Sequence, residues 1–475
     1  MAEQILNIQE ALKGLPPVWH EDLLPAICSE IECSPLSLVV LDDDPTGTQT
    51  VYDVPVLTNW KAQTLAEEFS KGTQLFYVLT NSRSLPQDEA IDLAREIGTN
   101  VLQASRQTDR SFEVISRSDS TLRGHFPAEV DALADAVGLQ EAVLVLIPFF
   151  EEGGRYTIND VHYVREGQQL TPAARTDFAK DVVFGYGSSN LKHWIEEKTQ
   201  SKISASLVQS LSIDEIREKG PEHIAKRLIA FDPGCACVVN AVNYRDLEVA
   251  TLALLRAQQK GQRFLYRTAA SFVRVRAGLS AQPLLTAQEM DSAKDKAGGL
   301  IIVGSHVSRS SQQLTDLLQN TKVQSIELNV EKILSPRSRN EEIRGIVKFV
   351  EEVLSQCRDV VVYTSRKLIT GKDNQSSLSI GNQISQSLVE IVSSMSVFPR
   401  YILAKGGITS SDIATQGLRI LRARVLGQIL PGVPVWRSGP ESKFPDLPYI
   451  VFPGNVGEAN AISKIVQGFR ESSYK

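Results

Sequence analysis

From Ser37 onward the chain repeats one pattern: an apolar run of strand length, a polar loop, then a segment with apolar residues at helical spacing. Ser37 to Leu41 runs into the acidic, turn-rich stretch Asp42-Asp43-Asp44-Pro45-Thr46-Gly47-Thr48. Gln74 to Thr80 runs into Asn81-Ser82-Arg83-Ser84, after which Pro86 opens a helix carrying Ile91, Ala94, Ile97 and Val101. Phe112 to Ser116 leads into Arg117-Ser118-Asp119-Ser120-Thr121-Leu122-Arg123-Gly124-His125, and Pro127 opens a helix with Val130, Leu133 and Val137. Ala142 to Pro148 is a further such run and ends at Phe149 to Arg155. Alternation of this kind dictates an α/β layer architecture with a largely parallel sheet, in which ligands sit beyond the carboxyl ends of the strands. The polar loops therefore converge on one rim.

The same logic resumes after a less periodic stretch, Leu279 to Lys296, which reads as a domain boundary. Gly299 to Val303, Val360 to Thr364, Tyr401 to Ala404 and Tyr449 to Phe452 are strand-like, with a helix over Asn340 to Gln356. The expected fold is α/β with two domains, each a mostly parallel sheet flanked by helices, and an active-site cleft between them. The expected boundaries are a helical extension at 1–36, a first domain at 37–278, a linker at 279–298 and a second domain at 299–475.

Composition narrows the function. With 475 residues, 42% hydrophobic and 22% charged, the chain has the material for a large core. A formal charge of −6 supplies no global attraction to nucleic acid or anionic membrane. The strongest apolar run, Ala142 to Phe150, is too short to span a bilayer. Five cysteines suit a reducing compartment, and Cys235-Ala-Cys237 lacks the spacing of a zinc site. A cytoplasmic protein with small-molecule partners is expected, without nucleic acid or membrane, and a homodimer is possible.

The first rim offers Asp42, Asp43, Asp44, Arg83, Arg117, Asp119, Arg123 and His125, with hydroxyls on Thr46, Ser118, Ser120 and Thr121. Carboxylates beside guanidinium groups suit a small polyhydroxylated acid: arginines pair with its carboxylate and aspartates accept from its hydroxyls. Arg83, Asp119, Ser120, Thr121, Arg123, Gly124 and His125 form the candidate substrate set. Asp43 or Asp44 is the candidate for orienting or deprotonating an attacking hydroxyl. The second half carries glycine and hydroxyl loops after three strands: Gly304-Ser305-His306-Val307-Ser308-Arg309-Ser310, Lys405-Gly406-Gly407-Ile408-Thr409, and Pro453-Gly454-Asn455-Val456-Gly457. Together they suggest a cradle for nucleotide phosphate, although no Walker-type phosphate loop occurs.

Asp43-Asp44-x-Thr46-Gly47, Asp119-Ser120-Thr121-Leu122-Arg123-Gly124, Gly304-Ser305, Gly406-Gly407-x-Thr409 and Gly454-Asn455-x-Gly457 occur in the order and spacing of one family. Over Ser37 to Gly468 the chain resembles the four-carbon acid sugar kinases. That resemblance implies an N-terminal sugar-acid-binding domain, a C-terminal nucleotide-binding domain, and ATP-dependent phosphorylation of the terminal hydroxyl of threonate, erythronate or 3-oxo-tetronate. It implies Asp43, Asp44, Asp119 and Arg123 as sugar-acid ligands, and Ser305, Gly406, Gly407, Ile408, Thr409, Gly454, Asn455 and Gly457 around ATP. Many members carry a serine where this chain has Val307, so Ser308 or Ser310 takes over that nucleotide contact. Mg²⁺ is expected with ATP; its protein ligands are unassigned.

Two rivals share these residues. Asp42-x-Asp44-x-Thr46 after an apolar strand also matches the nucleophile motif of haloacid-dehalogenase phosphatases, with Asp42 as nucleophile and Asp44 as acid/base. The later Gly-Asp-x-x-x-Asp of that superfamily is missing. A non-catalytic sugar-acid sensor would use the first domain and leave the glycine loops without a role.

Overall fold

A computed structural model describes residues 4–290, 297–304, 307–366, 374–454 and 456–472. It divides into two units, one of Met1–Val51 with Asn59–Ala281, the other of Tyr52–Thr58 with Gln282–Lys475.

In the first unit the strands lie in the order Gln209–Leu211, Ala236–Val239, Val143–Ile147, Phe264–Thr268, Phe112–Arg117, Ser37–Asp42 and Leu75–Leu79. All of these neighbours are parallel. Ser37–Asp42 and Leu75–Leu79 are buried along their whole length, which explains why they read as unbroken apolar runs: helices cover both faces. The helix Gln87–Thr108 buries Ala90, Ala94, Ile97, Val101 and Ala104, and starts with Asp88 and Glu89 where its dipole favours negative charge. Gly98 lets it close on the helix Ala128–Val137, since a Cβ there would stand 2.7 Å from Ala136 Cβ.

The residues at 1–36 are not purely helical. Leu6–Asn7 is a short strand on a small antiparallel sheet, beside Gln169–Pro172, Val161–Glu166 and Arg155–Ile158. Helices Ile8–Lys13 and Leu24–Cys33 follow it.

In the second unit the order is Val54–Leu57, Arg422–Leu430, Val433–Ser438, Pro448–Phe452, Ile402–Lys405, Leu300–Val303, Val360–Thr364 and Gln324–Leu328. The first three pairings are antiparallel and the rest parallel. Its core gathers Ile301, Val303, Leu314, Leu403, Val435, Ile450 and Phe452.

Two stretches differ from the sequence reading. Val54–Leu57, expected inside the first domain, pairs with Arg422–Leu430 and belongs to the second unit. Residues 282–290, expected in a linker, pack into that same unit: Leu285 N donates to Gln428 O at 2.7 Å and Met290 is fully buried. Both depend on contacts with residues more than a hundred positions away, which local periodicity does not encode.

Candidate active site

Asp42 is the last residue of its strand and lies in register with Arg117 at the end of the neighbouring strand. That pairing is why the loops after both strands meet. Arg117 Nη1 stands 3.0 Å from Asp42 Oδ1 and 3.9 Å from Asp43 Oδ1. Arg83, from the loop after Leu75–Leu79, reaches three carboxylates: Asp43 at 2.9 Å, Asp44 at 3.4 Å and Asp119 at 3.6 Å. Asp119 is held further by Arg123 Nε at 2.7 Å and by the Thr121 hydroxyl. Ser118 Oγ donates to Asp43, and Asp44 caps its own turn by accepting from Thr46 N at 2.8 Å. The expected acids and bases thus gather at one rim and are first of all paired with one another.

Burial and pairing give the carboxylates different states. Asp42 is 1% exposed, and burial pushes it up to about 7 against the opposing pull of Arg117. For Asp44 burial is outweighed by Arg83 and the bonds to Thr46, so it lies below the ordinary range. For Asp119 burial is outweighed by Arg123 and Arg83, and it is lower still. Asp44 and Asp119 are carboxylates at neutral pH. Asp42 cannot serve as the phosphatase nucleophile of the rival reading: it is enclosed, bound to Arg117, and a Cβ on Gly47 would fall on its carboxylate.

The Asp119–His125 loop is held in a shape a relaxed chain avoids. Leu122 has φ +71° and Gly124 φ +118°. At Gly124 a Cβ would stand 2.7 Å from Arg267 Nη2 and 2.8 Å from Ser118 Oγ, so only glycine fits. The segment from Arg155 to Tyr186 grips this loop from outside. His162 Nε2 bonds Ser120 O at 2.8 Å, Tyr186 Oη donates to Thr121 O at 2.8 Å, and Asp181 lies 3.8 Å from Arg123. Arg123 and Arg155 both lie over the Phe178 ring, at 5.2 and 5.6 Å. His125 is buried, bonded to Leu85 O at 3.0 Å and edge-on to Phe184, which is a supporting position.

Two arginines outside the sequence-derived set complete the cluster. Arg267, on the central strand Phe264–Thr268, donates to Ser116 Oγ and Arg123 O at 3.3 Å. Arg155 donates to Gly153 O, and its Nε is buried without a partner among the described residues. Neither has a carboxylate within ion-pair distance among the described residues, and burial lowers the pKa of each. Carboxylates act on both from beyond that distance, Asp43 and Glu129 on Arg267 and Asp119 on Arg155, but do not offset burial, so an anion placed against either would be favoured. No motif marks them: Arg267 sits inside an apolar strand, and Arg155 follows a glycine turn. Glu129 is buried beneath the loop, accepts from Ser82 Oγ at 2.7 Å, and is pushed up to about 7 by burial.

In the second unit the three glycine loops leave adjacent parallel strands, with Val303 opposite Lys405 and Lys405 opposite Phe452. Gly406 has φ +113°, and its N donates to Phe452 O at 2.8 Å. Gly407 opens the helix Gly407–Asp412. A Cβ on Gly304 would stand 2.5 Å from Thr409 Oγ1, so the first two loops interlock there. Gln313 ties the third loop by donating to Val456 O at 3.0 Å and Glu458 O at 2.9 Å, and Gly457 packs against it. A Cβ at Gly454 would face open space. Ser308 begins the helix Ser308–Asn320, and Ser310 Oγ is buried without a partner among the described residues. Ile408 is 58% exposed. Ser305 and Asn455 lie outside the described residues.

Two family models cover most of the chain: a sugar-binding N-terminal domain over residues 38–276 and a nucleotide-binding C-terminal domain over residues 300–462. The chain belongs to the four-carbon acid sugar kinase family. Relatives carrying that activity in their names are distant. A D-threonate kinase of Bordetella bronchiseptica is 26% identical over 217 residues, 44% of this chain and 47% of the relative. A D-erythronate kinase of Heliobacterium modesticaldum is 25% identical over 151 residues, 30% of this chain and 32% of the relative. The chain spans about half or less of the length of these curated relatives. The fold of this family member is shared with a Salmonella typhimurium LT2 protein whose description proposes a tRNA synthase, at TM-score 0.66 and 16% identity, covering 92% of this chain and 99% of that one. It is shared too with a Haemophilus influenzae protein at TM-score 0.60 and 19% identity, covering 91% and 100%. Among the described residues no helix is long and apolar enough to cross a membrane, and no group of three His, Cys, Asp or Glu is arranged to hold a metal ion.

Proposed function

We propose that this protein is a cytoplasmic kinase that transfers the γ-phosphoryl group of ATP to a hydroxyl of a four-carbon sugar acid of the threonate or erythronate type. The observation that carries this reading is the pair of buried arginines with no direct ion pair among the described residues, Arg155 and Arg267, beside a rim of aspartates. Buried guanidinium groups outside direct ion pairs suit the acid group of the substrate, and carboxylates suit its hydroxyls. The named activities of the relatives support the same class.

Asp44 is assigned to the acceptor hydroxyl. Its side chain is 17% exposed, against 2% for Asp43, and its low pKa suits orienting a hydroxyl more than taking its proton. Asp43, locked by Arg83 and Ser118, holds the loop in place. Ser308, Ser310, Gly406 to Thr409, Gly454 and Gly457 are assigned to the nucleotide, with Ser305 and Asn455 as expected ligands outside the described residues. The aspartates of the first rim are committed to arginines, so the described residues supply no ligand set for Mg²⁺. No step is assigned to that ion.

The test is ATP consumption over a panel of four-carbon sugar acids, alongside phosphate release from a generic ester without ATP. Turnover with one or more of the acids is expected. Asp44→Asn is expected to keep nucleotide binding while turnover falls by at least about 10²-fold. Ester hydrolysis without ATP, or full activity in Asp44→Asn, would overturn these assignments.

A further inference from the structure

Lys405 is fully buried at the end of the strand Ile402–Lys405, directly under the glycine loops; it opens the Lys405–Thr409 loop but is not among the residues assigned above to the nucleotide. Its Nζ lies 4.1 Å from the centre of the Phe452 ring and donates to Pro453 O at 2.5 Å and Gly454 O at 3.1 Å. No carboxylate lies within ion-pair distance of it among the described residues. The charged group acting on it there is another cation, Arg309, on the first turn of the helix Ser308–Asn320. On the other elements around it, Tyr449 donates its hydroxyl to Ser410 O at 2.6 Å, and Asp412 is bonded to Ser385.

The carbonyl of Pro453 and the N–H of Gly454 share one planar peptide unit, so aiming the carbonyl at Lys405 turns the N–H to the opposite side. Gly454 carries no Cβ, and nothing lies within 4 Å of where one would stand.

We propose that Lys405 is a positioning residue of the nucleotide site: it holds the Pro453–Gly454 segment with the Gly454 N–H turned outward, and it supplies positive charge that a bound phosphate compensates. The proposal rests on the nucleotide reading above. Burial, with Arg309 beside it, brings the Lys405 ammonium down to about 7, so the free protein loses this charge just above neutral pH. A phosphate bound over the loop favours the charged form. Binding therefore takes up a proton above pH 7, and affinity falls as the pH rises, tenfold for each unit by which the phosphate raises the pKa.

The experiment is calorimetric titration of the full-length protein with ATP between pH 6.5 and 8.5, in buffers of different ionisation enthalpy so that bound protons are counted. Wild type, Lys405→Met and Lys405→Arg are compared. At pH 8 the wild type is expected to take up a larger fraction of a proton than either variant. At pH 6.5 Lys405→Met is expected to bind on the order of tenfold more weakly, and Lys405→Arg, charged throughout, to bind with less pH dependence. A variant that takes up as many protons as wild type overturns the role of Lys405; if Lys405→Met does not fold, the proton count of Lys405→Arg decides. Absence of ATP binding by wild type overturns the nucleotide reading itself.

Discussion

Arg83 donates to the Asp43 carboxylate at 2.9 Å across two neighbouring parallel strands, and the same guanidinium group reaches Asp44 and Asp119. One cation thus holds together three carboxylates from two loops. Removing it leaves like charges facing one another in a mostly buried site. Arg83→Gln is expected to lower stability by about 3 kcal/mol, the lower end for breaking a buried ion pair. Arg83→Lys should restore little of it, since an ammonium group lacks the planar fork. Denaturant unfolding measures both; a midpoint like that of wild type in Arg83→Gln would show that the carboxylates do not depend on this hub.

Gly124 is the point where loop shape and arginine packing meet. Gly124→Ala places a methyl group against Arg267 and Ser118 at a φ that L residues rarely adopt. A stability loss of about 1–3 kcal/mol is expected from the strain. On the proposed function, the KM for the sugar acid should rise while ATP affinity stays unchanged, because the glycine loops assigned to the nucleotide lie in the other unit.

Glu129 gives a pH signature. Its carboxyl rises from 4.5 to about 7 on folding, chiefly by burial, so folding favours the protonated form. For a raised carboxyl the favourable contribution is complete below the unfolded pKa and is lost as pH climbs through the folded one. Relative to Glu129→Gln, the wild type should lose roughly 3 kcal/mol between about pH 4.5 and 7. Chemical unfolding of both proteins at intervals across that window reads the difference, and a gap that does not change with pH would contradict it.

Tyr186 secures the Asp119–His125 loop, assigned above to the sugar acid, through Thr121 O. Tyr186→Phe leaves that buried carbonyl without its donor, at a cost of about 1–3 kcal/mol. Hydrogen exchange should quicken across Asp119–His125 and the sugar-acid KM should rise. Unchanged exchange there would mean that His162 and the local turn suffice to hold the loop.

Much of this was legible in the chain itself. Asp42 to Asp44, Arg83 and Asp119 to Arg123 follow apolar runs, and strand alternation alone places them at carboxyl ends on one rim. The glycine loops at Gly304, Gly406 and Gly454 are visible for the same reason. The antiparallel strands Arg422–Leu430 and Val433–Ser438 are harder to see. The first alternates buried and exposed positions with charged residues among them, so no continuous apolar run announces it. Arg155, Arg267 and Tyr186 were equally hidden: nothing near Arg267 in sequence distinguishes a buried guanidinium group from one at the surface.

The sequence by itself determined the α/β periodicity, the strand ends at which the acidic loops of the first unit and the glycine loops of the second lie, and the family, because strand and helix periods and turn chemistry are local properties. Only the tertiary structure decided which aspartate stays accessible, which arginines are buried outside an ion pair among the described residues, that Arg155 to Tyr186 grips the Asp119–His125 loop, and that Lys405 lies under the glycine loops. Charge state and accessibility depend on what surrounds a side chain in space, and those neighbours come from distant parts of the chain.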